Sequence, residues 1–416
     1  MVWSSGFSRR RFLAAVAAAP AMPAGLTPAQ PDVPGSNVSA DIGSLYGTIL
    51  EATAPAEYPM SLLAVQPSEF GLQQRRIRQK TLELFLYRPD PVDPSPKVLG
   101  RWEGADWVQE KVEFATAPRF RVSGYVLSPK RFPGRRPAVV DLHSHGGMYL
   151  FGKEKVMPMP GGDHPAIVRY RKDNYDGFST SLELCRRGYV VVSIDAFYFG
   201  ERRTAFQDAG GLALRDRDSL TVEEVDALNR RAGSGESTLA RTLFWAGTTW
   251  PGIVHWDDLR TVDYLVQRPD VDPARIGCVG ISMGADRVNY LAALDERIAC
   301  AVSVGWMSTL REMTRSHVDT HSFVHFLPGM TRFFDLPDLA GCVAPRPMLV
   351  QYCRQDALYP LAGMELSRTR LLDIYARAGA SDRFEGRFYP VPHIFSRQMQ
   401  EDAFEWMDRL LEPGLA

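Results

Sequence analysis

Five residues, Gly280-Ile281-Ser282-Met283-Gly284, stand between an apolar run at Ile276–Val279 and a helical pattern over Met283–Leu294. A serine between two glycines at a sharp strand-to-helix turn is held out of the sheet with its hydroxyl exposed. The glycines are required because side chains there would clash with the turn and the following helix. The pentapeptide therefore demands a buried strand before it and a helix after it. The flanking sequence repeats that alternation. Strands are predicted at 107–114, 120–127, 137–142, 188–194, 275–281, 298–304, 347–352 and 383–389, and helices at 179–187, 256–267, 283–294, 361–378 and 398–411. Short continuous apolar runs such as Pro137–Leu142 fit strands buried on both faces. The predicted fold is α/β, a mostly parallel central sheet with helices on both faces.

At 416 residues with 45% apolar and 23% charged residues, the chain has ordinary globular composition, which excludes global disorder. A formal net charge of −1 builds no strong field for nucleic acid or an anionic membrane. Five cysteines do not make a disulfide framework, and Cys278, Cys300 and Cys353 fall on or beside predicted strands as buried thiols. No stretch reaches the roughly 18 consecutive apolar residues of a membrane span.

Ser8-Arg9-Arg10-Arg11-Phe12-Leu13 followed by Ala14–Ala19 reads as an export signal. It resembles the twin-arginine type, which implies a periplasmic or secreted protein with no stable membrane insertion after cleavage near 21–29. Residues 1–39 are thus predicted to be signal and flexible leader, 40–105 a helical extension and linker, and 106–416 the functional domain. Thr204–Pro251 breaks the strand–helix rhythm, with a helical piece near Val222–Arg231, and is expected as a lid-like insertion over the sheet.

Serine is a weak nucleophile at neutral pH and needs a base. In sites of this kind the chain order is serine, acid, histidine. Asp356 follows the strand Met348–Tyr352, and His393 follows the strand ending at Tyr389. Both fall at strand C-termini, where open parallel sheets place their sites. His393 is expected to take the Ser282 proton, and Asp356 to orient His393. Asp335 and Asp338 are rival acids but precede their strand. A tetrahedral intermediate needs donors for its oxyanion. These are expected from the N–H of Met283 and from His143-Ser144-His145-Gly146-Gly147, with His145 first and Gly146 second.

The chain from about Trp107 onward resembles the α/β-hydrolases, and within them the dienelactone hydrolase and acetyl xylan esterase–like bacterial esterases. The residues that carry the resemblance are 143–147, Asp195–Arg202, Trp256–Arg260, Asp272–Ile276 leading into Gly280–Gly284, Ala344–Pro347 and His393. Ser144 stands where glycine is usual, and Ala285 where a second glycine often follows. The resemblance implies hydrolysis of carboxylic esters through an acyl-enzyme with no cofactor, on esterified carbohydrates or related small esters. A prolyl-oligopeptidase-type peptidase and a non-catalytic binding protein are the alternatives.

His317, His321 and His325 are spaced by four, as metal ligands on one helix face can be. Pro328-Gly329 follows closely and no zinc signature is present, so a roof over the site is expected instead of a metal. Trp306 and His325 are its candidate substrate contacts, with Phe323 and Phe326 as apolar wall. Trp245, Trp250 and Trp256 suit core packing. Lys153-Glu154-Lys155 is expected as a solvated face.

Overall fold

The computed structural model describes residues 42–53, 57–131, 134–206 and 216–413. The export signal and leader lie outside the described residues. Among the described residues nine strands form one sheet: β1 (Lys97–Glu103), β2 (Trp107–Ala117), β3 (Phe120–Pro129), β4 (Arg136–Leu142), β5 (Val190–Ile194), β6 (Val271–Ile281), β7 (Ile298–Val304), β8 (Met348–Cys353) and β9 (Phe384–Tyr389). Their order is β1-β2-β3-β5-β4-β6-β7-β8-β9. The strands from β1 to β5 along one edge pair antiparallel, and every pair from β5 through β4 to β9 is parallel. β4 lies between β5 and β6, so the chain leaves it first to one side and later to the other. The crevice beyond the strand ends at such a reversal is where open α/β sheets bind ligands.

Eleven helices are described: α1 (Leu45–Thr53), α2 (Phe70–Leu84), α3 (Pro165–Tyr175), α4 (Thr180–Arg186), α5 (Val222–Trp245), α6 (Trp250–Val266), α7 (Met283–Leu294), α8 (Leu310–Ser316), α9 (Leu336–Gly341), α10 (Leu361–Arg377) and α11 (Arg397–Leu411). Successive strand side chains point to opposite faces, and β4 and β5 show how that fills two layers. Ala138, Val140, Val190 and Val192 join one core with residues of α2, α6, α7, α9 and α10. Val139 and Val191 join the other with residues of α3, α4 and α11. Among the described residues no helix is long and apolar enough to cross a membrane.

Three sequence expectations shift. The stretch read as extension and linker contains β1, the edge strand; its mostly exposed side chains show no clear apolar alternation. The helical piece of the 204–251 segment is 24 residues long. Thr221 caps it through a reciprocal pair with Glu224, at 3.2 and 2.8 Å. It continues through Gly233 and Gly235 because neighbours approach closely there: an added Cβ would stand 2.8 Å from the Tyr198 hydroxyl at Gly235. The next helix begins at Trp250 and not at Trp256, with Thr249 accepting the Gly252 N–H at 3.0 Å and Pro251 in the first turn. Trp250 and Trp256 are buried, donating to the carbonyls of Phe197 and Thr116, whereas Trp245 is 92% exposed.

Candidate active site

Ser282 lies between β6 and α7 with φ 60° and ψ −125°, a backbone conformation an L-residue holds only when its surroundings enforce it. The surroundings do so from both sides. The Ser282 N–H donates to Val304 on β7 at 2.9 Å, and its carbonyl accepts from Asp286 at 2.9 Å. A Cβ on Gly284 would come 1.9 Å from the Leu142 carbonyl oxygen, and one on Gly280 would come 2.5 Å from the Gly284 carbonyl carbon. The glycine pair thus lets α7 press against the end of β4.

Asp356 and His393 leave neighbouring parallel strands, β8 and β9. Backbone bonds from Arg354 to Tyr389 (2.8 Å) and from Gln355 to Val391 (3.0 Å) tie their loops together. His393 Nδ1 and Asp356 Oδ2 are 2.5 Å apart, with the carboxylate fully buried and the imidazole part exposed. Asp356 Oδ1 also accepts the Leu358 N–H at 2.9 Å, which fixes the carboxylate plane. Asp335 and Asp338 are engaged elsewhere. Asp335 caps α9 and accepts from Leu310, and Asp338 takes Ser61, the Leu62 N–H and Arg370.

Ser282 and His393 line one cavity of about 390 Å³ together with His145, Gly146, Glu236, His321 and His325. His145 and Gly146 follow β4, and Gly146 and Gly147 take φ +51° and +67°. Among the described residues, neither the His145 nor the Gly146 N–H has an acceptor. Met283 is the first residue of α7, so its N–H has no partner one turn earlier in the helix. Ser144, the departure from glycine, is explained by its hydroxyl, which shares hydrogen bonds of 2.8 Å with the hydroxyls of Tyr170 and Tyr175.

The His145 imidazole is one arm of a knot centred on Glu236 of α5. Glu236 Oε1 accepts from His145 Nε2 at 2.8 Å, Tyr149 at 2.7 Å and Ser322 at 2.9 Å. Burial pushes the Glu236 carboxyl up, but its donors, His145 first, outweigh that and hold it below the ordinary value. Burial lowers His145, and burial with His325 pushes His321 down to about 3, so both imidazoles are neutral at pH 7.

The roof differs from a single helix face. α8 ends at Ser316, and His325 sits in a separate turn, Phe323–His325. His325 faces the cavity and bonds Asp286 at 3.0 Å. Trp306 stands behind it, buried and stacked on His325 at 4.3 Å, so it supports the wall and does not line the cavity. Among the described residues no group of His, Cys, Asp or Glu is arranged to hold a metal ion.

The largest correction concerns Lys153-Glu154-Lys155, expected in solvent and found fully buried. Lys153 Nζ meets Asp195 at 2.7 Å, Glu154 at 3.0 Å and Glu201 at 3.0 Å. Burial alone would lower its pKa, but these carboxylates reverse the shift and raise it. Lys155 Nζ donates to the carbonyls of Ser144 (2.7 Å) and His145 (2.9 Å). The carboxylates facing Lys153 include two from beyond β5, which is why local sequence gave no sign of burial. Cys278, Cys300 and Cys353 are buried, and burial pushes the last two thiols up to about 12.

A strained serine after β6, an imidazole–carboxylate pair after β8 and β9, and free N–H groups after β4 define the class of fold: an α/β-hydrolase. The model of the Abhydrolase family matches residues 42–361, and the chain belongs to that family. YtaP of Bacillus subtilis (strain 168), a hydrolase by name, is 28% identical over 292 residues, covering 70% of this chain and 84% of YtaP. A structure from Bacteroides fragilis NCTC 9343, an acetyl xylan esterase by name, superposes with TM-score 0.63 at 21% identity, covering 84% of this chain and 82% of that one. The glucuronoyl esterase from Solibacter usitatus gives 0.55 at 15% identity, covering 86% and 99%. At these identities the two structures speak for the fold.

Proposed function

We propose that the protein is a serine hydrolase of carboxylic esters. The observation that carries this is the 2.5 Å His393–Asp356 bond opening onto the same cavity as Ser282. Asp356 holds the tautomer with the proton on Nδ1, which leaves Nε2 as the base for the Ser282 hydroxyl. Ser282 Oγ attacks the ester carbonyl, and the N–H groups of Met283 and His145, with Gly146 as the alternative, receive the oxyanion. Imidazolium His393 then protonates the leaving alcohol. Water, deprotonated by His393, releases the acid and restores the serine.

The cavity supports a neutral, hydroxylated substrate. Glu236 and Asp319 line it alongside Thr320, Ser322 and Asn174, and among the described residues no lysine or arginine lines it. Glu236 Oε2 takes no hydrogen bond from the described residues and is placed to accept one from a substrate hydroxyl. Esters of carbohydrates, the substrates in the names of the structural relatives, match this chemistry. The test is hydrolysis of p-nitrophenyl acetate and labelling by a fluorophosphonate. Both should vanish in Ser282→Ala while circular dichroism is unchanged; turnover equal to wild type in that variant refutes the proposal.

A further inference from the structure

We infer that Lys155 is a positioning residue for the oxyanion site, fixing and polarising the two peptide units whose N–H groups face the reacting carbonyl. This rests on the serine hydrolase reading and deepens it.

The argument follows from which peptide each contact touches. A trans peptide is planar, with its C=O and N–H on opposite edges. The carbonyl of Ser144 and the N–H of His145 belong to one such unit. The carbonyl of His145 and the N–H of Gly146 belong to the next. Lys155 Nζ donates to both carbonyls, at 2.7 and 2.9 Å. Both N–H groups therefore point away from the lysine, and neither finds an acceptor among the described residues. A donor on a carbonyl draws electron density through the amide and makes the N–H at its far edge a stronger donor. One side chain thus acts on the first-choice and the second-choice oxyanion donor together.

The rest of the pocket around Lys155 serves this geometry. The amine is fully buried, lying 4.6 Å from the Phe199 ring centroid and 5.4 Å from that of Tyr170. Among the described residues no carboxylate lies within salt-bridge distance of it, in contrast to Lys153. Its backbone is held in turn, since Arg171 Nε donates to the Lys155 carbonyl at 3.1 Å and Arg171 Nη2 to that of Glu154 at 2.7 Å. His143 Nδ1 reaches the Ser144 carbonyl as well, at 3.0 Å, so the His145 peptide is gripped by two donors and the Gly146 peptide by the lysine and the Met148 N–H. Burial pushes the ammonium well below its ordinary value. An amine in either protonation state keeps the two N–H bonds that two carbonyls require.

The test is Lys155→Met, which keeps the length and apolar stem but removes the donors. Loss of one oxyanion donor costs about 10²–10³-fold in turnover. Weakening and loosening two should lower kcat on p-nitrophenyl acetate by about 10–100-fold, with KM within about threefold of wild type. Inhibition by phenylboronic acid, which forms a tetrahedral adduct with the serine, should weaken by the same factor as kcat/KM. A merely structural lysine would lower the urea midpoint and leave kcat per folded molecule unchanged, and that result overturns the inference. Lys155→Gln and Lys155→Arg, which retain N–H donors, should recover part of the turnover. If Lys155→Met does not fold, the pair is read alone: kcat equal to wild type together with unchanged boronate inhibition in Lys155→Gln, whose shorter arm cannot span both carbonyls, overturns it equally. A wild-type protein that neither hydrolyses the ester nor takes the fluorophosphonate refutes the Ser282 reading instead.

Discussion

Replacing Gly284 by alanine perturbs the point where α7 meets β4. The new Cβ would stand 1.9 Å from the Leu142 carbonyl oxygen and 2.9 Å from its carbon, where ordinary contact starts at 3.4 Å. Helix and strand must therefore separate by about 1.5 Å, and neither obstacle is a side chain that can rotate away. Overpacking a core that can adjust costs about 1–3 kcal/mol. Here β4 is hydrogen-bonded on both sides, to β5 and β6, so we expect about 3 kcal/mol or more, a large share of the 5–15 kcal/mol typical of a folded protein. With a urea dependence of about 3 kcal/mol per molar, the midpoint should fall by about 1 M. Leu142 leads directly into the loop proposed to hold the oxyanion, so the displacement also moves the His145 N–H, and a misplacement near 1 Å is expected to cost about 10²-fold in turnover. Gly71 in α2 is the control, since its Cβ would meet nothing nearer than Arg75 Nη1 at 3.7 Å. Gly71→Ala should be neutral or stabilise by up to about 1 kcal/mol. A Gly284→Ala midpoint within about 0.3 M of wild type, with kcat unchanged, refutes the reasoning.

Lys153→Met removes the cation shared by Asp195, Glu154 and Glu201; Glu154 keeps Arg217 and Glu201 keeps Lys111, so among the described residues buried Asp195 is the carboxylate left without its cation. Breaking such a set from one side costs about 3–5 kcal/mol, read as a lower urea midpoint, and an unchanged midpoint counts against the buried network. Asp141, on β4, is held up at about 6 by burial, although Ser181 and Thr180 each donate to it at 2.6 Å. Its folded-state pKa lies above the unfolded one, so the folded protein binds the proton more tightly and stability declines as pH rises from about 4 through 6. Asp141→Asn removes that contribution, and its stability relative to wild type should rise by up to about 3 kcal/mol between pH 4 and pH 7 in urea titrations. A difference that is flat across the window contradicts this.

Much of the site was legible because its signals are local. Gly280–Gly284 announces itself by residue type, and Asp356 and His393 follow apolar runs of strand length. What stayed hidden depends on partners distant in the chain. Lys153-Glu154-Lys155 looks solvated in one dimension, because the carboxylates and carbonyls that compensate its charges arrive from elsewhere. The helical piece expected near Val222–Arg231 runs on through Gly233 and Gly235, where the space they leave is taken by Tyr149 and Tyr198. Glu236 carries no motif, and its place in the cavity follows from α5 crossing above the loop after β4. Trp306 and His325 were both expected at the substrate; packing put one behind the other.

The sequence by itself determined the alternation of strands and helices, the strained serine turn and the order of its three polar residues, since periodicity and turn chemistry act over a few residues. Only the tertiary structure decided which charges are buried, which peptide N–H groups are left free and what walls the cavity. Those outcomes depend on desolvation and on contacts between segments far apart in the chain, and neither leaves a mark on a short stretch of residues.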